Sequence, residues 1–476
     1  MAPPKPAQKS YGWRLRPRER RPLLFAGDLI VAFLSLAGSL YLWGIRDVEW
    51  LGFSREFLVA RVPMWFYFIP FVWLVLIVEL YDLHRAGNIE KTRRGIAVSA
   101  LIGLVLYSLI YITYTRGSLP RIGVAYFLAI VSPATLFWRF FYIRIFTAPA
   151  FMRRVLIVGG GKAGSTLLHV VNDLRPAPFF VAGIVDDDPQ KIGTEIEGCP
   201  VMGGADCLPI TVENENVSDI IVAISGRMGG RMFQALLDIQ ESGIEITRMQ
   251  TIYEDLLGRV PIFHLEADWI LRSYVESSRV SGFYSISKRL LDIAGGITGV
   301  LLFLLVLPFV GIANLLESGR PVFYTQTRSG RGDHPYKVVK FRTMLQDAEK
   351  DGIPQWTKEN DERVTRVGRF LRKTHLDELP QFLNVLRGEM SLVGPRPERP
   401  ELITLFQKYV PFYRARLLVK PGITGWAQIH QEYAANVEET YVKLEYDLYY
   451  IKRRNLLLDL VILLRTPATI LGFRGR

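Results

Sequence analysis

Apolar residues along this chain gather in long runs separated by charged loops. Four runs come first: Leu23–Leu42, about Pro63–Leu80, Ile96–Tyr114 and Ile122–Ile145. Each has about the length that a helix needs to cross a bilayer, roughly 20 residues. Trp and Tyr stand near several of their ends, where membrane interfaces favour them. The pattern predicts four transmembrane helices over residues 22–147.

The period changes after residue 152. Short apolar strands, Val155–Val158 and Val181–Val185, bracket a helical pattern from Ser165 to Leu174, which predicts a Rossmann-like α/β domain over 152–280. A fifth apolar run, Leu290–Leu316, carries Asp292 as its one charge and is interrupted by Pro308. Proline inside a helix removes a hydrogen bond and kinks the chain. Bases flank the run on both sides: Lys288 and Arg289 before it, then Arg320, Arg328, Arg331, Lys337, Lys340 and Arg342. Since basic flanks stay in the cytoplasm, the expectation is a re-entrant helix, about 289–317, that enters and leaves one leaflet. Near the C-terminus, Tyr449, Tyr450, Lys452, Arg453 and Arg454 precede Leu456–Leu464. That run is too short to span and reads as an interfacial helix.

Charge refines the picture. Residues 1–21 hold seven bases and one acid, a basic tail that the same rule places in the cytoplasm with both ends of the helical bundle. The chain as a whole has 58 basic and 46 acidic residues, net +12, which favours partners bearing phosphate. Apolar residues make up 49 % and mean hydropathy is +0.18, which excludes a disordered tail protein. Two cysteines and six scattered histidines show no zinc-ligand spacing and exclude a disulfide scaffold. No stacking platform or helix-turn-helix pattern supports nucleic-acid binding.

Two segments carry candidate chemistry. Gly159, Gly161 and Gly164 fit G-x-G-x-x-G after a strand, with Asp186 following the second strand. That is the dinucleotide fingerprint: a tight turn, a helix N-terminus for pyrophosphate, an acid for ribose. The second segment, 318–400, contains Asp377-Glu378 at the start of a helical pattern (Leu379, Phe382, Leu383, Leu386), which places Asp377 at or next to an N-cap. A carboxylate held where phosphate binds is a potential nucleophile on phosphorus, and a second beside it can hold Mg²⁺. From these six residues alone an ordinary cap explains the pair better. Bases alter that balance. Lys340 and Arg342 alternate in a strand-like segment, and Arg396 sits between Pro395 and Pro397, a rigid presentation suited to bidentate phosphate binding. Candidate phosphate ligands are Arg396, Lys340, Arg342 and Arg363. Arg366, Arg369, Arg372 and Lys373 read as a solvated or headgroup-facing side of a helix.

Several long segments then converge on one family. Lys288-Arg289-Leu290-Leu291-Asp292, Lys340-Phe341-Arg342-Thr343-Met344, Leu376-Asp377-Glu378-Leu379-Pro380-Gln381, Met390 to Pro397 and Lys420-Pro421-Gly422-Ile423-Thr424-Gly425 make residues 284–476 resemble the bacterial sugar transferases, and the whole chain resembles their large form. The resemblance implies a monotopic α/β catalytic domain. It would transfer a sugar 1-phosphate from a UDP-sugar donor to undecaprenyl (polyprenyl) phosphate and release UMP. Asp377 would be the nucleophile, Glu378 the Mg²⁺ ligand and Arg396 a phosphate ligand. It also implies a homodimer in the bacterial inner membrane, in contact with lipid, with both large domains cytoplasmic. Two positions depart from the family pattern: Leu307 replaces a serine before Pro308, and Asp333 stands where a glycine is expected. Two rival readings remain at this level. One is a membrane-anchored NAD-dependent sugar-nucleotide dehydratase or epimerase, with Tyr336 and Lys340 at Tyr-x-x-x-Lys spacing. The other is a non-catalytic, nucleotide-sensing membrane scaffold.

Overall fold

A computed structural model describes residues 17–46, 52–81, 88–113, 120–146, 152–174, 177–265, 282–345, 361, 363–431 and 437–470. Most of the basic tail lies outside them. The chain forms two compact units, Met1–Leu256 and Leu257–Arg476.

In the first unit, helices Pro17–Arg46 and Arg121–Phe146 pack along each other, with helix Ile89–Thr113 against the second of them. Their apolar stripes meet in a core that includes Leu36, Trp43, Phe127 and Val131. The span expected over 63–80 is not one helix. It is broken into a 3₁₀ turn (Met64–Phe68), a short α-helix (Ile69–Leu76) and a second 3₁₀ turn (Val78–Tyr81). Pro63 ahead of the first turn and Pro70 in the first turn of the α-helix lack amide hydrogens, so no uninterrupted ladder can form across them. The break frees the Leu80 carbonyl, which accepts from Arg139 Nη1 at 2.6 Å. Arg139 also pairs with Asp28 through Nη2 at 2.6 Å and Nε at 3.2 Å. Both side chains are fully buried, so each charge is compensated where a lone one would be costly.

The rest of this unit is built on a six-stranded mixed sheet with helices between its strands. Its strands are β1 (Arg154–Val158), β2 (Phe180–Val185), β3 (Glu195–Ile196), β4 (Cys199–Gly203), β5 (Asp219–Val222) and β6 (Glu245–Arg248), in the order β3-β4-β2-β1-β5-β6. All neighbours are parallel except β3 with β4. The order reverses direction between β1 and β5, the kind of switch point at which α/β sheets bind ligands.

The second unit is organised by one helix, Gly282–Ser318, of 37 residues. Helical backbone continues through Pro308, so any change of direction is a bend within one helix rather than a turn between two. Polar ties hold it to the same domain near both ends. Asp292 Oδ1 accepts from Ser391 Oγ and the Leu392 amide, each at 2.9 Å. Toward the other end, Asn314 Nδ2 donates to the Arg342 carbonyl at 3.0 Å, and Glu317 accepts from the Arg366 and Val367 amides at 2.6 and 2.8 Å. Between these ties Phe303, Leu307 and Val310 pack on Phe341, Leu371 and Leu379. Leu307 therefore fills this core, whereas Leu301, Leu305, Phe309 and Leu316 stay exposed on the opposite side. Among the described residues three helices are long and apolar enough to cross a membrane: Pro22–Arg46, Arg121–Ile145 and Gly282–Ser318. The chain is a membrane protein by this measure.

Around the long helix lie an antiparallel hairpin, β7 (Phe323–Ser329) with β8 (Pro335–Phe341), and a parallel pair, β9 (Ser391–Val393) with β10 (Gly422–Thr424). Val260 and Ile262, inside the stretch read from sequence as part of the α/β domain, belong to this unit's core. The terminal helix Leu456–Ile470 is only half interfacial in character. Leu457 is exposed, but Asp459 and Ile462 are fully buried. Tyr450, which precedes this helix, is also buried; its hydroxyl donates to Asp459 Oδ1 at 2.8 Å and lies 3.1 Å from the Val393 carbonyl oxygen.

Candidate active site

The carboxylate pair sits where one helix ends and another begins. Helix Arg366–Thr374 is capped at its start by the Thr365 hydroxyl, which accepts from the Gly368 amide at 2.9 Å. It ends at His375, whose φ is +55°. The chain then turns through a 3₁₀ segment, Leu376–Gln381, into helix Phe382–Arg387. Asp377 is thus in the first 3₁₀ turn, and His375 rather than Asp377 occupies the cap position. The helical spacing of Leu379, Phe382 and Leu386 hid this, because residues three apart share a face in a 3₁₀ turn as they do in an α-helix. Leu379 anchors the turn against Phe341 and the long helix.

Two cations converge on Glu378. Lys340 Nζ lies 2.7 Å and Arg396 Nη2 2.9 Å from Glu378 Oε1. Burial opposes ionisation of Glu378, but Arg396 and Lys340 outweigh it and hold the carboxyl well below the usual range. Asp377 is 8 % exposed and accepts no hydrogen bond from a described residue. Burial, then the neighbouring Glu378 charge, push its carboxyl above the ordinary value, while Lys340, Arg372 and Arg396 pull the other way. One carboxylate is therefore charge-balanced and fixed, and its neighbour has no hydrogen bond from the described residues. Divergent environments for adjacent acids are what a division of roles between them requires.

Arg396 is held rigidly, though not by its prolines alone. Each carbonyl from Pro395 to Glu398 accepts a hydrogen bond: from the Gly422 amide at 2.9 Å, Arg416 Nη2 at 3.0 Å, Arg328 Nη1 at 3.1 Å and the Ser329 amide at 3.0 Å. Beneath it, Glu398 takes Lys443 at 2.7 Å, and Arg416 pairs with Asp447 at 2.9 Å. Gly394 explains why Gly is needed there and at Gly422 and Gly425. A methyl at Gly394 would lie 2.3 Å from the Lys420 carbonyl oxygen, one at Gly422 2.1 Å from the Gly394 nitrogen, and one at Gly425 2.2 Å from the Gly394 oxygen. The two sequence motifs Met390–Pro397 and Lys420–Gly425 are one backbone junction in space.

Other expected phosphate ligands go elsewhere. Arg342 donates to the Gly319 carbonyl at 2.6 Å, closing the C-terminus of the long helix. Arg363 is bound to Asp361 through Nε at 2.8 Å and Nη2 at 2.5 Å. Conversely, sequence reasoning left Arg372 on a solvated face. In the structure it is half-buried, donates through Nε to Thr343 Oγ1 at 2.9 Å and acts electrostatically on Asp377. Its spacing from Asp377, just over one helical turn before the acid, was the available signal. Tyr336 and Lys340 belong to β8, not a helix, so the Tyr-x-x-x-Lys arrangement of a dehydrogenase is absent here. At the second departure from the family pattern, Asp333 has φ +66°, so the glycine expected there is replaced by a residue held left-handed, with Arg414 at 3.2 Å.

In the other unit Gly159, Gly161 and Gly164 link β1 to helix Lys162–Asp173. Gly159 has φ +109°, and a methyl at Gly164 would lie 2.1 Å from the Gly159 carbonyl oxygen. Asp186, at the end of β2, accepts from the Gly160 amide at 2.6 Å and from Lys191 at 3.1 Å. Ile196 leans over the same loop, since a methyl at Gly160 would lie 2.6 Å from its Cδ1.

Comparison with known proteins adds two family matches and three relatives. Residues 283–472 match the family model described as bacterial sugar transferase, and residues 76–249 match one described as CoA-binding domain. The chain is 42 % identical over 316 residues to the UDP-glucose:undecaprenyl-phosphate glucose-1-phosphate transferase of Escherichia coli (strain K12), covering 66 % of this chain and 67 % of that one. It is 42 % identical over 234 residues (49 % of this chain, 54 % of the relative) to the UDP-N-acetylgalactosamine-undecaprenyl-phosphate N-acetylgalactosaminephosphotransferase of Aeromonas hydrophila. It is 31 % identical over 292 residues (59 % and 58 %) to the UDP-glucose:undecaprenyl-phosphate glucose-1-phosphate transferase of Xanthomonas campestris pv. campestris. The chain thus spans little more than half the length of these last two relatives.

Proposed function

The chain belongs to the bacterial sugar transferase family, and from that premise we propose that it transfers a sugar 1-phosphate from a UDP-sugar to undecaprenyl phosphate, releasing UMP. The observation that carries this reading is the pairing of a buried Asp377, which takes no hydrogen bond from the described residues, with a Glu378 held by Lys340 and Arg396. In the first half-reaction an Asp377 oxygen attacks the phosphorus that bears the sugar. The bond from that phosphorus to the bridging oxygen breaks, and UMP leaves with the electron pair. In the second, an oxygen of the lipid phosphate attacks the same phosphorus and Asp377 leaves as the free carboxylate. Arg396 and Lys340, aimed at one point, would hold the donor's phosphates and stabilise charge as it develops.

Glu378 is the residue that would hold Mg²⁺. Among the described residues no cluster of three or more His, Cys, Asp or Glu gathers for a metal. The fit is instead to the mode in which Mg²⁺ takes one or two carboxylates plus substrate phosphates, since Glu378 Oε2 accepts no hydrogen bond from a described residue. When bound, the ion neutralises diphosphate charge.

The same unit supports a membrane arrangement in keeping with this reaction. A helix tied to one domain near both ends suits entry and exit on one face of the bilayer, with the catalytic unit on the cytoplasmic side of the inner membrane, where UDP-sugars are soluble. The test is UMP release from a panel of UDP-sugars, including glucose and N-acetylgalactosamine. Wild type should release UMP, and Asp377→Asn should lose at least a thousandfold. An intact-mass adduct of a phosphosugar should form without acceptor. Wild-type turnover by Asp377→Asn would overturn covalent catalysis at this position.

A further inference from the structure

Two motif residues have no part in the proposed reaction: Arg289, just before the apolar run, and Lys420, at the head of the segment Lys420–Gly425. The fold brings their charged ends together over Gly388, which follows helix Phe382–Arg387 with φ +84°. A methyl on Gly388 would have three cationic nitrogens as its nearest neighbours: Lys420 Nζ at 3.4 Å, and Arg289 Nη1 and Nη2 at 3.7 Å each. Arg289 is held in place because those two nitrogens donate to the Val385 and Leu386 carbonyls at 2.9 and 2.8 Å. Each Nη carries a second N–H, so the guanidinium keeps donors to spare. Lys420 is placed by the backbone junction with Gly394.

Charge at this point is not balanced. Lys420 and Arg289 are half-buried, and neither forms an ion pair with a described residue. Lys420 Nζ donates no hydrogen bond to one either. Arg331, exposed in the turn between β7 and β8, is a third cation acting on Lys420. Lys288, a fourth, is already paired with Asp459 at 3.0 Å. The opposing charge is Asp292, whose Oδ1 is taken by Ser391 and Leu392. Burial, then Arg289, push the Lys420 ammonium below its usual range. Like charges gathered from three separate segments repel until an anion joins them.

Location selects the anion. Ile286 and Leu290, near Arg289 on the long helix, are exposed, and Leu290 opens the stretch that is apolar enough to enter a membrane. Bases at that level meet lipid headgroups. The reacting carboxylate is served by other cations, since those acting on Asp377 are Lys340, Arg372 and Arg396. We propose that Lys420, Arg289 and Arg331 form a second phosphate site, which holds the phosphodiester of an anionic phospholipid where the long helix enters the bilayer. The site is independent of the transferase reading.

The experiment uses the full chain in a neutral detergent. Melting temperature is followed while phosphatidylglycerol is titrated, with phosphatidylcholine and inorganic phosphate as separate arms. The proteins are wild type, Lys420→Met, Lys420→Arg, Arg331→Gln and Lys408→Met, the last an exposed lysine of the same unit. Phosphatidylglycerol should raise the wild-type melting temperature saturably, because a ligand of the folded state stabilises it by mass action. Losing one base at a lipid surface should raise the half-saturating concentration about fivefold in Lys420→Met and Arg331→Gln. Lys420→Arg and Lys408→Met should titrate as wild type does. Without lipid, Lys420→Met should melt no lower than wild type, because it removes a repelling charge. A lower melt would make Lys420 a structural residue and overturn the proposal. Equal titration of wild type and Lys420→Met would overturn it too, as would an equal response to phosphatidylcholine. A response to inorganic phosphate matching that to phosphatidylglycerol would assign the site to a soluble anion and defeat the lipid assignment.

Discussion

Asp377 and Glu378 share a peptide bond and little else. Burial raises the first, while two cations bring the second down against burial. In the proposed mechanism Asp377 must be ionised to attack, so the acid limb of kcat/KM, which reports the free enzyme, should lie above 3.8, the ordinary aspartate value. Arg372 lowers the Asp377 value, and removing a nearby positive charge disfavours the anion. Arg372→Met should therefore move that limb further toward neutral pH, and a pH–rate profile decides it. An unmoved limb would show that Arg372 acts only through Thr343. Glu398 offers a stability counterpart. Burial opposes its ionisation, but Lys443, Arg416 and Arg328 bring it from 4.5 to about 2. A carboxylate depressed in the folded state contributes stability above its unfolded value and loses it as pH falls toward the folded one. Lys443→Met should thus lower Tm at pH 7, and the gap to wild type should shrink progressively below pH 4.5.

At the scale of elements, glycines decide how closely segments approach. Gly394→Ala would set a methyl 2.3 Å from the Lys420 carbonyl oxygen and 2.9 Å from the Gly422 nitrogen, both backbone atoms that cannot swing aside. About 1–3 kcal/mol of stability should be lost, and UMP release should fall further than stability explains, because the Arg396 loop starts there. A thermal melt beside an activity assay separates the two effects. Much at this scale was legible in the sequence. The glycine loop after β1, the long apolar run with Pro308 inside, and the rigid Arg396 segment all follow from local rules of period and backbone freedom. What local rules could not supply was tertiary destination. Lys340 and Arg342 alternate on one strand face by pattern, yet β8 ends at Phe341 and Arg342 goes to the Gly319 carbonyl. Pro63–Leu80 has the hydropathy of a span, but hydropathy counts side chains, and two prolines break the ladder that a span needs. Asp377 has the look of a cap because a 3₁₀ turn and an α-turn differ by a fraction of a residue.

For the molecule as a whole, the second unit has its own core and its own membrane-compatible helix. Residues 257–476 produced alone should pellet with membranes and release UMP from the same donors, at a rate within tenfold of the full chain; fractionation followed by assay tests it. A soluble fragment would place the anchoring in the first unit instead.

The pins at Asp292 and at Asn314 with Glu317 act like two bolts through one rod: the long helix cannot slide along its axis without breaking one of them. A span free to tilt can absorb a thicker or thinner bilayer; a bolted one carries its height error straight to Asp377. Lipid chain length should then work as a throttle. In nanodiscs of graded acyl length, turnover with the lipid acceptor should peak at one thickness and decline on either side, while UMP release from the soluble donor alone stays level.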